Sequence, residues 1–263
     1  MKAILKHLAT LLAIALIVSF ADFNIAQAEN TQFMEVLVVS GDNVNLRSSP
    51  VKGDNIIKTI DITTVAFKLD DGENGFYHVS VDGNEGYMHK DYLKPVTIEI
   101  PEGYSIIGSC ITIFKEDGNR STNIQLACQG ISGTWVSEYG RFSYNDTLGP
   151  RTAKKGYKEA PVIIRGNMDT GIGGGICQVS STLYKACLNA GIAFSKGDRT
   201  HHPLKVSYTR WKEDGIGGFD ATVNWPNIDF QFTNSIGQPI TIFAGTSYIS
   251  SSKSACWVLI CVK

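Results

Sequence analysis

The residues best placed to do chemistry run from Gly171 to Tyr184 (Gly-Ile-Gly-Gly-Gly-Ile-Cys-Gln-Val-Ser-Ser-Thr-Leu-Tyr). Four glycines crowd the approach to Cys177, and a helical pattern begins there. Val179, Leu183, Ala186, Cys187 and Ala190 recur at the spacing of one apolar helix face, and Gly191 supplies a stop. A thiol at a helix start sits among unpaired backbone N–H groups at the positive end of the helix dipole. That setting lowers a cysteine pKa and favours the nucleophilic thiolate. Glycines also allow a substrate backbone to come close. The stretch therefore reads as a nucleophile beside an oxyanion site. A buried structural cysteine, or a loop that holds phosphate, are the alternatives. The phosphate signature Gly-x-x-x-x-Gly-Lys-Ser/Thr is absent.

The elements around this stretch follow from composition and pattern. Lys2, Lys6 and His7 precede an apolar run from Leu8 to Phe20, and Ala26-Gln27-Ala28 is a small-x-small cleavage site. Residues 1–28 thus read as an export signal, and no membrane span is expected after its removal. A secreted or cell-wall location on the outer face of a bacterial envelope follows. The formal net charge is −1, without a basic patch, so nucleic acid is not an expected partner. The six cysteines form no Cys-x-x-Cys pair and suggest no metal site. Cys177 and Cys187 lie too far apart on one helix to be bridged, while a Cys110–Cys128 disulfide stays open.

Residues 29–96 read as a small all-β barrel. The segments Val36–Val39, Ile56–Ile60, Thr64–Phe67, Tyr77–Val81 and Glu85–Met88 are rich in β-formers, with turns between them. A linker is expected over 97–104. From 105 to 263 the pattern is α+β, with many strands and few helices. Asn123–Cys128 suits a short helix. Phe142–Tyr144, Pro161–Ile164, Lys205–Tyr208, Ala221–Val223, Asp229–Phe232 and Ile240–Phe243 suit strands. Trp257–Val262 is a continuous apolar run, expected as a last buried strand.

Two resemblances sharpen this division. Val44-Asn45-Leu46-Arg47-Ser48-Ser49-Pro50, then Phe76–Val79, Gly83, Gly86-Tyr87-Met88 and Asp91-Tyr92-Leu93, resemble a bacterial SH3 domain, with Phe76 near the family's usual Trp. Such modules commonly bind cell-wall peptides. From Ser105 onward the chain resembles the VanW-like domain family, through Phe142–Thr152, Gly156–Pro161, Gly171–Tyr184, then Arg199, His202, Val206 and Tyr208, and finally Asp220–Val223 and Asp229–Asn234. Pro203 stands where the family usually has Ser. The resemblance implies a peptidoglycan L,D-transpeptidase that uses Cys177 as nucleophile to join the third residues of two stem peptides.

Cysteine acyl transfer also needs a base. Of the five histidines, His7 belongs to the signal and His78 and His89 to the barrel, which leaves His201 and His202. His202 matches the family position, and neighbours on a strand face opposite ways, so His202 is the expected base. Asp220 is the expected orienting carboxylate, with Asp146 (beside Asn145) second. Backbone N–H groups from Gly175 to Gln178, and the side chains of Gln178, Ser180 and Ser181, are candidates for the oxyanion site, although such hydroxyls often only cap helices. Arg151 suits a substrate carboxylate. No metal or organic cofactor is expected, and peptidoglycan stem peptides are the expected partners. Two other readings remain open: a cell-wall cysteine endopeptidase or carboxypeptidase, and a non-catalytic wall-binding accessory of glycopeptide resistance. The Asp-Cys-Ser-Gly signature of NlpC-type hydrolases is missing.

Overall fold

The computed structural model describes residues 31–41, 43–61, 64–81, 84–164, 167–200 and 220–263. The expected signal, Gly83, the expected strand at Lys205–Tyr208, and both His201 and His202 lie outside the described residues. The chain is strand-rich, with three helices among the described residues.

The N-terminal region is a seven-stranded antiparallel sheet built from β1 (Thr31–Val39), β2 (Val44–Arg47), β3 (Ile56–Ile60), β4 (Val65–Asp70), β5 (Phe76–Val81), β6 (Asn84–His89) and β7 (Leu93–Pro101). Their order is β3-β2-β6-β5-β4-β1-β7. Alternate residues point inward, as the period of two requires. Leu37, Leu46, Ile60, Ala66, Val79, Val81 and Met88 close a small core. The expectation of a linker over 97–104 needs correction. Residues 97–101 belong to β7, which pairs with β1 along its whole length, from Leu93 opposite Val39 to Pro101 opposite Thr31. Pro95 fits because β7 is an edge strand, where a missing N–H costs no ladder bond.

The C-terminal region is centred on a four-stranded antiparallel sheet, in the order β8-β15-β14-β9. Its strands are β8 (Ser105–Lys115), β9 (Thr134–Val136), β14 (Ile240–Ser250) and β15 (Lys253–Val262). Both faces are covered. Cys256, Val258 and Ile260 of β15 face a core shared with helix α1 (Gly118–Ile131) and helix α3 (Ile176–Asn189). Ala255, Trp257, Leu259 and Cys261 face the β1–β7 ribbon through Val36, Val38, Val96, Ile98 and Ile100. Burial on both faces explains why β15 reads as one unbroken apolar run.

Two small ribbons and one short helix complete the fold: β10 (Arg141–Ser143) with β13 (Gln231–Thr233), β11 (Glu159–Ile164) with β12 (Asn167–Ile172), and α2 (Tyr144–Leu148). Helix α1 is longer than expected. Asn123, Ile124, Ala127, Cys128 and Ile131 form its buried face, while the weak helix formers Gly118, Asn119, Ser121 and Thr122 hide its first turn from a pattern reading. Ala221–Val223 is not strand. Its backbone is instead held by α3, through an Ser180 hydroxyl bond to the Ala221 carbonyl at 2.5 Å and an Ala221 amide bond to Ser181 Oγ at 2.8 Å. All six cysteines are free thiols. Cys128 lies against Cys256, Sγ to Sγ 3.6 Å, so the Cys110–Cys128 pairing does not form.

Candidate active site around Cys177

Helix α3 presents the face its spacing demands. Val179, Leu183, Ala186 and Cys187 are fully buried in the core of the C-terminal region. The helix ends where expected. Gly191 takes a left-handed φ of 82°, its amide bonds to the Leu188 carbonyl, and the Ile192 amide bonds to that of Cys187. Those two bonds satisfy carbonyls that the helix end would leave orphaned.

At the other end, the glycines serve the chain's own packing. Gly173 and Gly175 have φ of 90° and 106°, values that side chains resist. A Cβ on Gly174 would stand 2.5 Å from the Pro161 carbonyl oxygen and 2.6 Å from that of Ala160. Asn123 of α1 pins the same turn, donating to the Gly174 and Lys158 carbonyls at 2.9 Å each. The backbone approach inferred from these glycines is therefore made by β11, not left open for a substrate.

Cys177 is the second residue of α3 and the only one of the six cysteines that is not fully buried. Its thiol lies 3.5 Å from the Val223 carbonyl oxygen, to which it donates. The expected lowering of its pKa is not found. Burial of the sulfur pushes the thiol up, and the Asp220 charge adds to this. Hydrogen bonding at Val223, the Arg151 charge and the residue's own amide only partly offset the rise.

The remaining expected residues divide into three groups. Asp220 and Arg151 lie close enough to Cys177 for their charges to act on it. Asp220 is buried, and Arg199 donates to its backbone carbonyl at 2.7 Å and sits 3.9 Å from its carboxylate. Arg199 in turn lies 4.4 Å over the Tyr184 ring of α3. Gln178, Ser180 and Ser181 sit beside Cys177 but are engaged structurally. The Gln178 carbonyl accepts from Arg120 at 2.6 Å, and its amide donates to Thr112 at 2.9 Å, so it ties α3 to α1 and β8. The Ser181 hydroxyl donates to the Cys177 carbonyl at 2.6 Å. Backbone N–H groups at the same turn are also in use: Ile176 bonds to the Gly173 carbonyl at 3.3 Å and Gln178 to that of Gly175 at 3.0 Å. Asp146 stands apart, exposed on α2 where Ser143 caps its amide, in an open depression with Trp135 and Arg141.

Pattern reading gave no site role to Tyr144 or Asp229, and named Asn145 only beside Asp146. Asp229 accepts from the Ser143 hydroxyl at 2.6 Å and the Asn145 amide at 2.8 Å, and Asn145 accepts from Arg151 at 2.7 Å. These residues aim the Arg151 guanidinium. Their signal was a dense polar run, Ser143 to Asp146, next to a buried aromatic. Among the described residues no cluster of His, Cys, Asp and Glu could hold a metal.

Residues 119–252 match the family described as VanW like protein. The chain belongs to that family. Residues 42–94 match the bacterial SH3 domain. Within the VanW-like family, the chain is 42% identical over 139 residues to the uncharacterized protein YoaR of Bacillus subtilis, covering 52% of this chain and 43% of that one. It is 27% identical over 122 residues to the vancomycin B-type resistance protein VanW of Enterococcus faecalis, covering 46% and 42%. The chain therefore spans less than half the length of either relative. No solved structure matches it. The VanW-like match contains every residue gathered around Cys177, and the SH3 match contains a second depression of about 190 Å³, formed by Arg47, Lys52, Phe76, His89 and Tyr92 among others.

Proposed function

We propose that the chain is a cell-envelope L,D-transpeptidase of peptidoglycan, with Cys177 as its nucleophile. One observation carries the reading: of the six cysteines, the one in the glycine-framed first turn of α3 is the one that is only partly buried, and the charges of Arg151 and Asp220 both act on its thiol. The Enterococcus relative, a vancomycin B-type resistance protein, supports an envelope role. The SH3 region supports it too. Its depression, with two cations, a histidine and two aromatic rings, suits a wall peptide. Export by residues 1–28 completes the reading.

In the proposed reaction the donor is a tetrapeptide stem that ends in D-Ala. His202 takes the Cys177 proton as sulfur attacks the carbonyl of the third residue. The C–N bond breaks, the imidazolium returns the proton to the departing D-Ala amine, and a thioester remains. The amine of an acceptor stem then attacks that thioester. Its proton passes through His202 to the departing sulfur, and a third-to-third crosslink forms. Asp220, buried within range of the thiol, orients the base in this scheme. The raised thiol pKa favours such concerted proton removal over a standing thiolate. Water in place of the acceptor would give carboxypeptidase activity.

The test incubates purified protein with tetrapeptide-rich muropeptides and resolves the products by mass. Third-to-third dimers are expected with the wild-type chain and none with Cys177→Ala. His202→Gln should slow acylation ~10²–10⁴-fold, and His201→Gln far less. Shortened stems without dimers would make the protein a peptidase. An unchanged mixture would make it a wall-binding accessory.

A further inference from the structure

Among the described residues three buried side-chain atoms have no hydrogen-bond partner, Thr222 Oγ1, the Tyr144 hydroxyl and Nη2 of Arg151, and the last two belong to side chains that lie together. Tyr144 is fully buried, and the Arg151 guanidinium lies 5.6 Å from its ring. Nη1 of Arg151 is held by Asn145 at 2.7 Å and by the Gly149 carbonyl at 3.2 Å, so Nη2 is the atom left over. Among the described residues no carboxylate pairs with this guanidinium. A buried guanidinium N–H group and a buried phenol without partners cost free energy that an anion between them would recover.

The position of the pair relative to the nucleophile is set by packing. A Cβ on Gly173, in the turn that leads into Cys177, would come within 3.3 Å of Arg151 Cβ. Arg151 therefore lies against the very turn that presents the thiol, and its charge acts on Cys177. Asn145, itself held by Asp229, and the Gly149 carbonyl fix the guanidinium through Nη1, as a preorganised binding group requires.

We propose that Arg151 Nη2 and the Tyr144 hydroxyl form the subsite for the free terminal carboxylate of the donor stem, one residue beyond the attacked carbonyl. This deepens the transpeptidase reading and rests on it for the identity of the peptide. A guanidinium N–H and a phenolic O–H together match the two oxygens of one carboxylate. The subsite makes the enzyme select stems that end in a free carboxylate, and places the departing D-Ala at a fixed distance from the sulfur.

The experiment measures binding in the unreactive Cys177→Ala protein by calorimetry. One probe is a tetrapeptide stem ending in D-Ala carboxylate, and the other is the same peptide with a C-terminal amide. The acid should bind at least about tenfold more tightly than the amide. Adding Tyr144→Phe or Arg151→Gln should erase most of that preference. Tyr144→Phe should leave the melting temperature unchanged or raise it, because the lost hydroxyl has no partner. Equal binding of acid and amide, no binding of the acid, or a preference that survives Tyr144→Phe would each overturn the subsite. Turnover is not involved, so a clear acid preference in a protein that forms no crosslinks would retain the subsite and reject the transpeptidase.

Discussion

The two faces of the β8-β15-β14-β9 sheet are equally buried and differently used. One carries α1 and α3, and with them Cys177. The other carries the β1–β7 ribbon, which grows out of the SH3 region. Successive residues of β15 serve the two faces in turn: Cys256, Val258 and Ile260 the helices, Trp257, Leu259 and Cys261 the ribbon. The helix face ends in a site, with thiol, carboxylate and guanidinium drawn together at its margin. The ribbon face ends in a joint. There the Trp257 indole donates to Ser247 at 3.0 Å, and the Ser247 hydroxyl donates to the Thr97 carbonyl of β7. Apolar burial drives both, and of the two only the helix face gathers charged groups around a thiol. One sheet thus separates the stability of the joint from the chemistry of the site.

The most damaging way to break that separation is Trp257→Ala. Removing a buried indole costs ~3–5 kcal/mol and leaves Ser247 without its donor. The melting temperature should fall by more than for any helix-face truncation of smaller volume. Below that temperature, Cys177 should react with iodoacetamide at the wild-type rate, because nothing on α3 has moved. A changed rate would mean that the joint and the site are coupled through the sheet.

A finer comparison makes the same small change on each face. A Cβ on Gly108 of β8 would meet the Ala186 carbonyl oxygen at 2.4 Å and the Ala190 amide nitrogen at 2.5 Å. Backbone cannot yield there, so α3 must shift off the sheet. A Cβ on Gly245 of β14 would meet the Trp257 ring, on the ribbon side. Each substitution should cost about 1–3 kcal/mol by overpacking. Only Gly108→Ala should also change Cys177 alkylation and lower crosslinking. Equal effects of both on alkylation would refute the independence of the two faces.

How far these faces were legible in the chain depended on whether local pattern or distant pairing decided each element. The α3 stripe, its Gly191 stop and the buried run of β15 were readable because periodicity and capping are local. The β1–β7 ribbon was not. Its second strand, Leu93-Lys94-Pro95-Val96-Thr97-Ile98-Glu99-Ile100-Pro101, carries two prolines, and only pairing with β1, some sixty residues earlier, makes it strand. At the site, Cys177 was read from type and spacing and Asp220 from the family block that holds it, and the charges of Asp220 and Arg151 act on the Cys177 thiol. The sign of the thiol's pKa change was lost because desolvation depends on what folds over the sulfur, not on its place in the helix. The parts played by Tyr144 and Asp229 were not legible because a five-residue helix has no period to read, and the bonds that place them span some eighty residues.

The smallest effect compares the two faces through their silent thiols. Cys110 faces the helices and Cys261 the ribbon, and burial pushes each up to about 12 from 9.0. Unfolding exposes both, so the unfolded chain loses these protons at lower pH than the folded one. Above about pH 9 the folded state holds more protons, and stability must fall as pH rises. Below pH 9 both contributions are fully present. Each thiol should remove roughly 1.4 kcal/mol per pH unit between about pH 9 and 12. Thermal melts from pH 8 to 10.5 should therefore show an alkaline decline that Cys110→Ala and Cys261→Ala each make shallower by a similar amount. A decline that responds to Cys110→Ala alone would mean that water already reaches Cys261, and that the ribbon covers its face less tightly than the helices cover theirs.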